Sequence, residues 1–325
     1  MHTESNIRGH RDDRDLPSGT GSLRVVGVQH APIPAAPDRP RPADRLDAFA
    51  AELDVVLAQV PDADLVVFPE LHLVGVLDLP EDDRVPTLQA AAVPLTDPVV
   101  AALGALAAAR GVGLAPGSIC ERGENGELFN TSLLFAPDGT LTATYRKIFP
   151  WRPFEPYTPG DRFVVGELPL PDGGATRAGL SICYDAWFPE HARHLAWLGS
   201  DLVLNVVQTT TPDRAQELVL ARANAIVNQT FVVSVNTAGP HGAGRSIVVD
   251  PEGAVLAQAQ DEHDAVLVAD LDLTAVPRVR ETGTAGTNRM WAQFLPTDPA
   301  LALPMYGGRI HPEHWTPGSA PPPAP

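Results

Sequence analysis

Hydrophobic and polar positions follow one another along this chain with two periods, one typical of strands and one typical of helices. Short, unbroken runs of apolar and β-branched residues predict strands that are buried on both faces. Apolar residues spaced three and four apart, from Leu46 to Leu57, predict a helix with one buried face. The predicted strands are Leu23–Gln29, Leu65–Phe68, Leu114–Ile119, Leu180–Cys183, Leu202–Val207, Phe231–Val235 and Ala265–Ala269.

Capping residues mark the ends of further helices. One helix is predicted to begin after Thr96 or Asp97, with Pro98 in its first turn, and to end at Gly111. Short polar side chains cap helix N-termini, proline fits the first turn, and glycine favours the C-terminal end. The same reasoning predicts helices over Pro189–Gly199 and Pro212–Gln229, the latter with Asp213 and Arg214 as charges of its first turn.

Two hairpins are predicted from turn sequences. The turn Pro137-Asp138-Gly139 joins the predicted strands Asn130–Ala136 and Thr140–Tyr145. Proline presets one backbone angle of such a turn, and aspartate and glycine tolerate the others. The turn Asp250–Gly253 joins Ser246–Val249 to Val255–Ala257 in the same way. Strands that alternate with helices, together with antiparallel hairpins, indicate the α/β class, with a mixed sheet layered against helices.

The folded part is predicted to be one domain, residues 23–310, because no linker-like stretch interrupts it. Residues 1–22 are polar and are predicted to be a disordered lead-in, without the apolar core of a signal peptide. Residues 311–325 form a proline-rich tail. No run of about 18 apolar residues occurs, so we expect no membrane span.

Charge and cysteine content narrow the expected partners and setting. The 325 residues carry a formal net charge of −17. An acidic surface repels nucleic-acid phosphates and anionic lipids, so we expect neither nucleic-acid nor membrane partners. Cys120 and Cys183 are too few for a disulfide framework, which favours a reduced, cytoplasmic setting. Cys120 is predicted to be structural.

Three reactive residues follow predicted strands: Glu70, Lys147 and Cys183. Active sites of open α/β sheets are built where strands end. Taken singly, each residue has a simpler explanation, as a loop carboxylate, a surface ammonium or a small buried side chain. Taken together, they supply a base, an oxyanion partner and a nucleophile for attack on an amide carbonyl.

The segments around these residues resemble the signature blocks of the nitrilase (carbon–nitrogen hydrolase) superfamily. The blocks are Phe68-Pro69-Glu70, Tyr145-Arg146-Lys147, and Cys183-Tyr184-Asp185 with Phe188-Pro189-Glu190, in the family's order and spacing. The resemblance runs from about Leu23 to about Ala275. It implies an α-β-β-α sandwich that pairs with a second copy, and therefore a homo-oligomer. It also implies Glu70, Lys147 and Cys183 as a catalytic triad that needs no metal or cofactor.

The stretch Tyr145–Gly160 resembles the aliphatic amidase and formamidase branch, in which the lysine is followed by a Pro-Trp pair and a second glutamate. This implies a catalytic role for Glu155, beside the triad, in orienting substrate and water. Trp151 either walls the substrate pocket or packs in the core. The resemblance therefore predicts a hydrolase that cleaves a small uncharged amide through a cysteine thioester.

The residues after Cys183 distinguish branches of this superfamily. Tyr184-Asp185 stands where nitrilases usually have Trp-Glu, and Trp187 lies where N-carbamoyl amino acid hydrolases tend to carry arginine or histidine. We expect the backbone N–H of Tyr184 to bind the oxyanion and Trp187 to form an apolar wall. Two alternatives stay open: an N-carbamoyl amide (ureido) hydrolase and an acyl-transferring relative.

Other polar residues have two interpretations each. Thr209, just past the strand Leu202–Val207, either contacts the substrate or caps the next helix. His191 and His194 have a spacing that can bind metal, but no suitable cysteine or carboxylate set is near, so no metal site is expected. Residues 278–310 are expected to pack on the surface or against a partner subunit.

Overall fold

The computed structural model describes residues 21–301 and 308–310, and within them the chain forms thirteen strands and six α-helices. The strands are β1 Ser22–Gln29, β2 Leu65–Val67, β3 Gly113–Ala115, β4 Ser118–Arg122, β5 Leu128–Phe135, β6 Leu141–Arg146, β7 Val165–Pro169, β8 Ala175–Ile182, β9 Leu202–Val207, β10 Phe231–Asn236, β11 Ile247–Val249, β12 Val255–Gln258 and β13 Ala265–Asp272. The helices are α1 Leu46–Gln59, α2 Glu81–Ala91, α3 Pro98–Arg110, α4 Pro189–Trp197, α5 Arg214–Asn228 and α6 Ala275–Thr282.

The strands make two mixed sheets. The first has the order β13-β1-β2-β3-β5-β4, with β6 paired to β5, and the second has the order β12-β11-β10-β9-β8-β7. In each sheet three neighbouring strands are parallel, β1-β2-β3 in the first and β8-β9-β10 in the second. Antiparallel strands complete both sheets.

Three hydrophobic clusters show how the sheets and helices are layered. Leu202, Leu204 and Val206 of β9 lie between the two sheets, in one cluster with Val25 of β1. Val203, which points to the other face of β9, packs with residues of α4 and α5. A third cluster joins the outer face of the first sheet to α1, α2 and α3. The molecule is therefore an α-β-β-α sandwich, as the sequence resemblance implied.

One predicted strand is wrong. The chain does not run extended from Leu114 to Ile119, because β3 ends at Ala115 and β4 begins at Ser118. Between them Gly117 has φ +89°, and a Cβ there would lie 1.8 Å from the carbonyl oxygen of Pro69. A side chain at this position would collide with the backbone just before Glu70, so glycine makes the turn possible.

The ends of helix α3 agree with the prediction, whereas those of β8 and α5 are shifted by a few residues. Asp97 rather than Thr96 caps α3, because its Oδ1 accepts the Val99 N–H at 3.0 Å. Gly111 ends that helix with φ +62°. The predicted strand Leu180–Cys183 begins earlier, at Ala175, and stops at Ile182. Helix α5 begins at Arg214, two residues later than expected.

Three elements were not predicted: helices α2 and α6 and strand β7. Helix α2 begins with Glu81, Asp82 and Asp83 and contains Pro86, so its sequence lacks the apolar period of an amphipathic helix. Strand β7 lies at the edge of the second sheet. The predicted lead-in, apart from residues 21 and 22, and the tail after residue 310 lie outside the described residues. Within those residues, no helix is long and apolar enough to cross a membrane.

Candidate active site

The carboxylate of Glu70 is held inside the molecule, just after β2. It is 2% exposed, and its Oε1 accepts hydrogen bonds from Asn130 Nδ2 at 2.7 Å and Lys147 Nζ at 3.1 Å. The next residue, Leu71, has φ +54°, and its N–H donates to Ser118 Oγ at 3.0 Å. Burial raises the pKa of Glu70, and the attraction of Lys147 only partly opposes it. A carboxylate with a raised pKa is a stronger base.

The ammonium of Lys147 joins two carboxylates. Lys147 follows β6, and its Nζ donates to Glu70 Oε1 and, at 2.8 Å, to Glu155 Oε1. The side chain is fully buried. Burial lowers the pKa of Lys147, but the negative charges of Glu70 and Glu155 raise it, and the pKa lies well above its usual value. Lys147 therefore stays charged, as a fixed point of positive charge.

Glu155 reaches the same ammonium from a loop that is partly open to solvent. Its side chain is 20% exposed, and its Oε2 accepts the backbone N–H of Trp151 at 2.9 Å. The structure thus brings Glu70, Lys147 and Glu155 into one hydrogen-bonded group. Asn130 completes this group, and sequence reasoning had assigned it no function.

Cys183 lies at a sharp turn between β8 and a 3-10 helix, Cys183–Trp187. Its φ of +47° is rare for a residue with a side chain, which indicates a position fixed by its surroundings. Asp185, fully buried, provides that fixation: Oδ2 accepts the Ile182 N–H at 2.9 Å and the Tyr145 hydroxyl at 2.8 Å. Its Oδ1 accepts the Phe149 N–H at 2.9 Å. Asp185 thus ties the Cys183 turn to the segment that carries Lys147.

The surroundings of Cys183 favour the protonated form of its thiol. Burial and the negative charge of Glu70 raise its pKa well above the usual value, and Lys147 only partly opposes them. Its Sγ lies 3.7 Å from the hydroxyl oxygen of Thr209. A nucleophilic role for Cys183 would therefore require removal of the thiol proton. A thiol, a buried ammonium and two carboxylates whose charges act on that thiol are the parts needed for nucleophilic cleavage of an amide.

The chain's similarity to known proteins identifies its family. Residues 24–281 match the sequence profile described as Carbon-nitrogen hydrolase. A formamidase of Pseudomonas syringae pv. tomato is 31% identical over 285 residues, which cover 81% of this chain and 78% of that protein. This chain belongs to the carbon–nitrogen hydrolase family. A formamidase of Bacillus cereus is 34% identical over 160 residues, about half of each protein.

Solved structures of carbon–nitrogen hydrolases have the same fold. Nit3 of Saccharomyces cerevisiae, a member of branch 10 of the nitrilase superfamily, aligns with a TM-score of 0.69 and 26% identity. The alignment covers 83% of this chain and 97% of Nit3. A mutant amidase of Nesterenkonia aligns with a TM-score of 0.60 and 25% identity, over 85% of this chain and 99% of the amidase.

The aromatic residues predicted to shape the pocket of this carbon–nitrogen hydrolase lie around the Cys183 turn and the Glu155 loop. The Tyr184 ring lies 6.1 Å from that of Trp187, and both residues are half-buried. Trp151, also half-buried, packs 4.3 Å from the ring of Phe154, which is 66% exposed. Packing in the deep core therefore does not describe Trp151.

Arg214 lies in the first turn of α5, as predicted, and the structure shows in addition that it is buried. It is 2% exposed, and its Nη1 donates to Glu217 Oε2 at 2.9 Å. Glu217, which sequence reasoning missed, accepts from Thr209 at 2.7 Å and faces the Cys183 side of the molecule. An Arg and a Glu three apart on the buried face of a helix were the available signal.

His191 and His194, at which no metal site was predicted, each contact a backbone carbonyl oxygen. The ring of His191 contacts the Leu180 carbonyl at 3.2 Å through Nε2, and His194 Nδ1 contacts the Glu190 carbonyl at 2.6 Å. Across residues 21–301 and 308–310, no group of three or more metal-binding side chains is arranged to hold an ion.

A small internal cavity of about 20 Å³ lies between the second sheet and helices α4 and α5. Ser181, His191, Asn205 and Glu217 are among the residues that line it. A cavity of this size holds about one water molecule and no amide.

A further signal for Lys147 lies in the composition. Of the 23 basic residues in the chain, 22 are arginine, and Lys147 is the single lysine. Arginine's planar fork suits two-point contacts, whereas the compact ammonium offers three donors around one point charge. The single lysine lies where one cation fits between two carboxylates, one buried and one partly exposed.

Proposed function

We propose that this carbon–nitrogen hydrolase is an amidase that converts a small uncharged amide to a carboxylic acid and ammonia through a thioester on Cys183. The observation that carries the proposal is the buried ammonium of Lys147, bonded to both Glu70 and Glu155 and acting on the Cys183 thiol. The formamidase relatives and the amidase neighbour support the reaction class. The free thiols favour a cytoplasmic setting.

In the first half of the proposed reaction, Glu70 takes the proton of Cys183 while Sγ attacks the carbonyl carbon. Lys147 and the backbone N–H of Tyr184 bind the oxyanion that forms. Protonated Glu70 then gives its proton to the departing nitrogen, so that ammonia leaves and a thioester remains. An ammonium fixed before the reaction stabilises this transition state without reorganising.

In the second half, water attacks the thioester and gives its proton to Glu70 or Glu155. The carbon–sulfur bond breaks, the acid is released, and the sulfur recovers a proton from the protonated carboxyl group. Glu155 suits this step because it is partly exposed and is held by both Lys147 and the Trp151 N–H. These steps need no metal or cofactor.

Cys183 rather than Cys120 is the proposed nucleophile. Cys120 is fully buried, contacts the Tyr157 hydroxyl at 3.9 Å, and has its pKa raised to about 12 by burial. A structure of the Nesterenkonia amidase shows acrylamide added to that protein's active-site cysteine. A cysteine nucleophile is therefore chemically established in a structural neighbour of 25% identity.

The substrate is proposed to be a short aliphatic amide. In support, the half-buried rings of Tyr184 and Trp187 follow Cys183 in the chain, and the N–H of the half-buried Trp151 donates to Glu155. Aromatic and apolar walls favour an uncharged acyl group over a carboxylate-bearing one. An N-carbamoyl amide is the second candidate, because its carbonyl undergoes the same attack. An acyl transferase would share the first half-reaction and pass the acyl group to an amine.

The test is an ammonia-release screen over formamide, acetamide, butyramide, N-carbamoyl compounds and nitriles. We expect release from the short amides and its loss in Cys183→Ala. Cys120→Ala is the matched control, and it should keep the activity because the Cys120 side chain packs in the outer hydrophobic cluster and its thiol contacts Tyr157. Wild-type turnover by Cys183→Ala, with circular dichroism showing both variants folded, would contradict the mechanism.

A further inference from the structure

Thr209 contacts the nucleophile and a buried carboxylate at the same time. Its Oγ1 lies 3.7 Å from Cys183 Sγ and 2.7 and 2.9 Å from the two carboxylate oxygens of Glu217. Its backbone is clamped by Asn236, whose side chain accepts the Thr209 N–H at 2.8 Å and donates to its carbonyl at 3.2 Å. Thr209 and Glu217 are 5% and 8% exposed, so water does not compete freely for these contacts.

Counting protons assigns the direction of each hydrogen bond at rest. A carboxylate only accepts, and a threonine hydroxyl has a single proton. That proton goes to Glu217, because the charged acceptor makes the stronger bond. Toward the sulfur, Thr209 therefore presents a lone pair, and the resting thiol of Cys183 donates its S–H to Thr209.

The situation reverses once the sulfur is charged. A thiolate cannot donate, but it can accept, and the Thr209 hydroxyl reaches it by rotating about its Cβ–Oγ1 bond. Glu217 is not left without donors, because Arg214 Nη1 stays at 2.9 Å from Oε2 and Trp187 Nε1 at 3.5 Å from Oε1. Rotation of one hydroxyl thus moves a hydrogen bond from Glu217 to the sulfur without stranding a buried charge.

We propose that Thr209 is a reversible hydrogen-bond partner of the nucleophile, accepting from the Cys183 thiol at rest and donating to the thiolate whenever the sulfur carries charge. Glu217 is the positioning residue that orients the hydroxyl and competes for its proton. The first claim concerns the free thiol alone. Its extension to the thiolate that leaves when the thioester breaks rests on the proposed function.

Several charges face this sulfur besides the Thr209 hydroxyl. Glu70, Lys147 and Glu155 act on it from one side, and Glu217 and Arg214 act on it from α5. The thiolate is therefore disfavoured by three carboxylates and favoured by two cations. One donated hydrogen bond is a useful addition in this balance, because bonds to charged groups are the stronger ones.

The test measures the second-order rate of Cys183 alkylation by iodoacetamide against pH, on the full chain in a Cys120→Ala background. Thr209→Val removes the hydroxyl and keeps the side chain's shape. We expect its rate–pH curve to move to higher pH and its rate at neutral pH to fall about tenfold, the effect of one lost bond to a charged group. Thr209→Ser should restore the wild-type curve, because it keeps the hydroxyl.

Glu217→Gln tests the positioning role of Glu217, and its rate–pH curve is expected to shift in the direction opposite to that of Thr209→Val. It removes a negative charge near the sulfur and weakens the competitor for the Thr209 proton, so its curve should move to lower pH. A role that is merely structural would not shift the two variants in opposite directions. Thermal unfolding of each variant checks the fold, and Thr209→Ala replaces Thr209→Val if the valine variant does not fold.

Each result decides the inference. A Thr209→Val curve that superimposes on wild type, a serine variant as impaired as the valine variant, or an upward shift in Glu217→Gln would overturn it. Alkylation needs no amide substrate, so the readout is separate from the proposed function. If no amide is hydrolysed and the curves still shift as expected, the amidase proposal fails and the Thr209 inference holds.

Discussion

At the scale of single residues, the site depends on buried charges that stabilise one another. Taking Lys147, Glu70 and Glu155 out of water is costly, and the cost is offset only while all three stay paired. This is why the pKa of Lys147 is raised although burial alone would lower it. Removing Lys147 leaves two carboxylates without their counter-charge, and removing either carboxylate leaves the ammonium with one partner instead of two, so these positions tolerate few substitutions.

Asn130 gives a testable pH dependence at this scale. Its hydrogen bond to Glu70 favours the ionised carboxylate and so lowers a pKa that burial has raised. If Glu70 acts as the base, activity is present above its pKa and is lost as pH falls through it. Asn130→Ala removes the bond and raises the pKa further, so the acid limb of kcat/KM should move to higher pH.

The measurement is a pH profile of kcat/KM for wild type, Asn130→Ala and a matched variant, Asn228→Ala. Asn228 is also a buried asparagine, but it bonds to the Asn224 carbonyl on α5 instead of to Glu70. Its acid limb should stay in place. An Asn130→Ala profile whose acid limb coincides with wild type would show that Glu70 does not control activity at low pH.

The sequence was informative about the reactive residues and poor about the residues that bond to them. Glu70, Lys147 and Glu155 were predicted through a family resemblance, and the structure groups them. Asn130 and Glu217 were not predicted, because an amide on a strand and a carboxylate on a helix are compatible with many roles. Their function depends on which side chain lies opposite, and that is a property of the folded chain.

At the scale of elements, tight backbone contacts fix where the reactive side chains lie. Gly117 connects β3 to β4 and passes directly beneath the Pro69 carbonyl. The segment that carries Glu70 therefore rests on a position that has no side chain. The strand period alone predicted a continuous strand here, since periodicity does not report on close contacts between distant parts of the backbone.

Gly117→Ala should displace the Glu70 segment and reduce activity at least about tenfold, because the added methyl would meet the Pro69 oxygen at 1.8 Å. Gly126→Ala is the matched control. It has a similar φ of +87°, but its added methyl meets nothing within 4 Å. It should carry only the backbone strain of about 1 kcal/mol and keep full activity.

Urea unfolding and ammonia release on the same preparations separate the two effects. Equal losses of activity in the two variants would mean that backbone strain, and not the contact with Pro69, is responsible.

Helix α2 is a second element that the sequence pattern alone did not predict. Its acidic start and internal proline hide its helical character, and its position against β4 becomes visible only in the folded chain.

At the scale of the whole molecule, the sequence predicted α/β character, but it could not assign strands to two sheets. Buried strands such as β2 and β9 have similar, mainly apolar sequences, because each is covered on both faces. The sandwich came from the family resemblance, and the layered hydrophobic clusters confirm it. Pairing of two copies stays a prediction.

That pairing has a candidate surface on the layer of α4 and α5. Trp197, Val219, Ile226 and Val227 are between 37% and 75% exposed there. Exposed apolar groups of this kind mark protein–protein contacts. We expect a homodimer whose dissociation follows Val219→Asp, because burying an unpaired carboxylate in an interface is costly.

Light scattering coupled to size-exclusion chromatography measures the molar mass of each variant and so distinguishes monomer from dimer. Val55→Asp is the matched control, since Val55 is 56% exposed but lies on α1, in the opposite helical layer. It should leave the dimer intact. A wild-type protein that elutes as a monomer, or a Val55→Asp variant that dissociates as readily as Val219→Asp, would exclude this surface as the interface.

The enclosure of the single lysine makes the chain a reporter of its own unfolding. An endoprotease that cuts only after lysine has one target bond in the polypeptide, after Lys147, and the folded chain keeps that side chain fully enclosed. Opening of the molecule would release two fragments, residues 1–147 with Glu70 and residues 148–325 with Cys183. Their appearance on a gel would therefore measure, without any label, how fast the chain opens around Lys147.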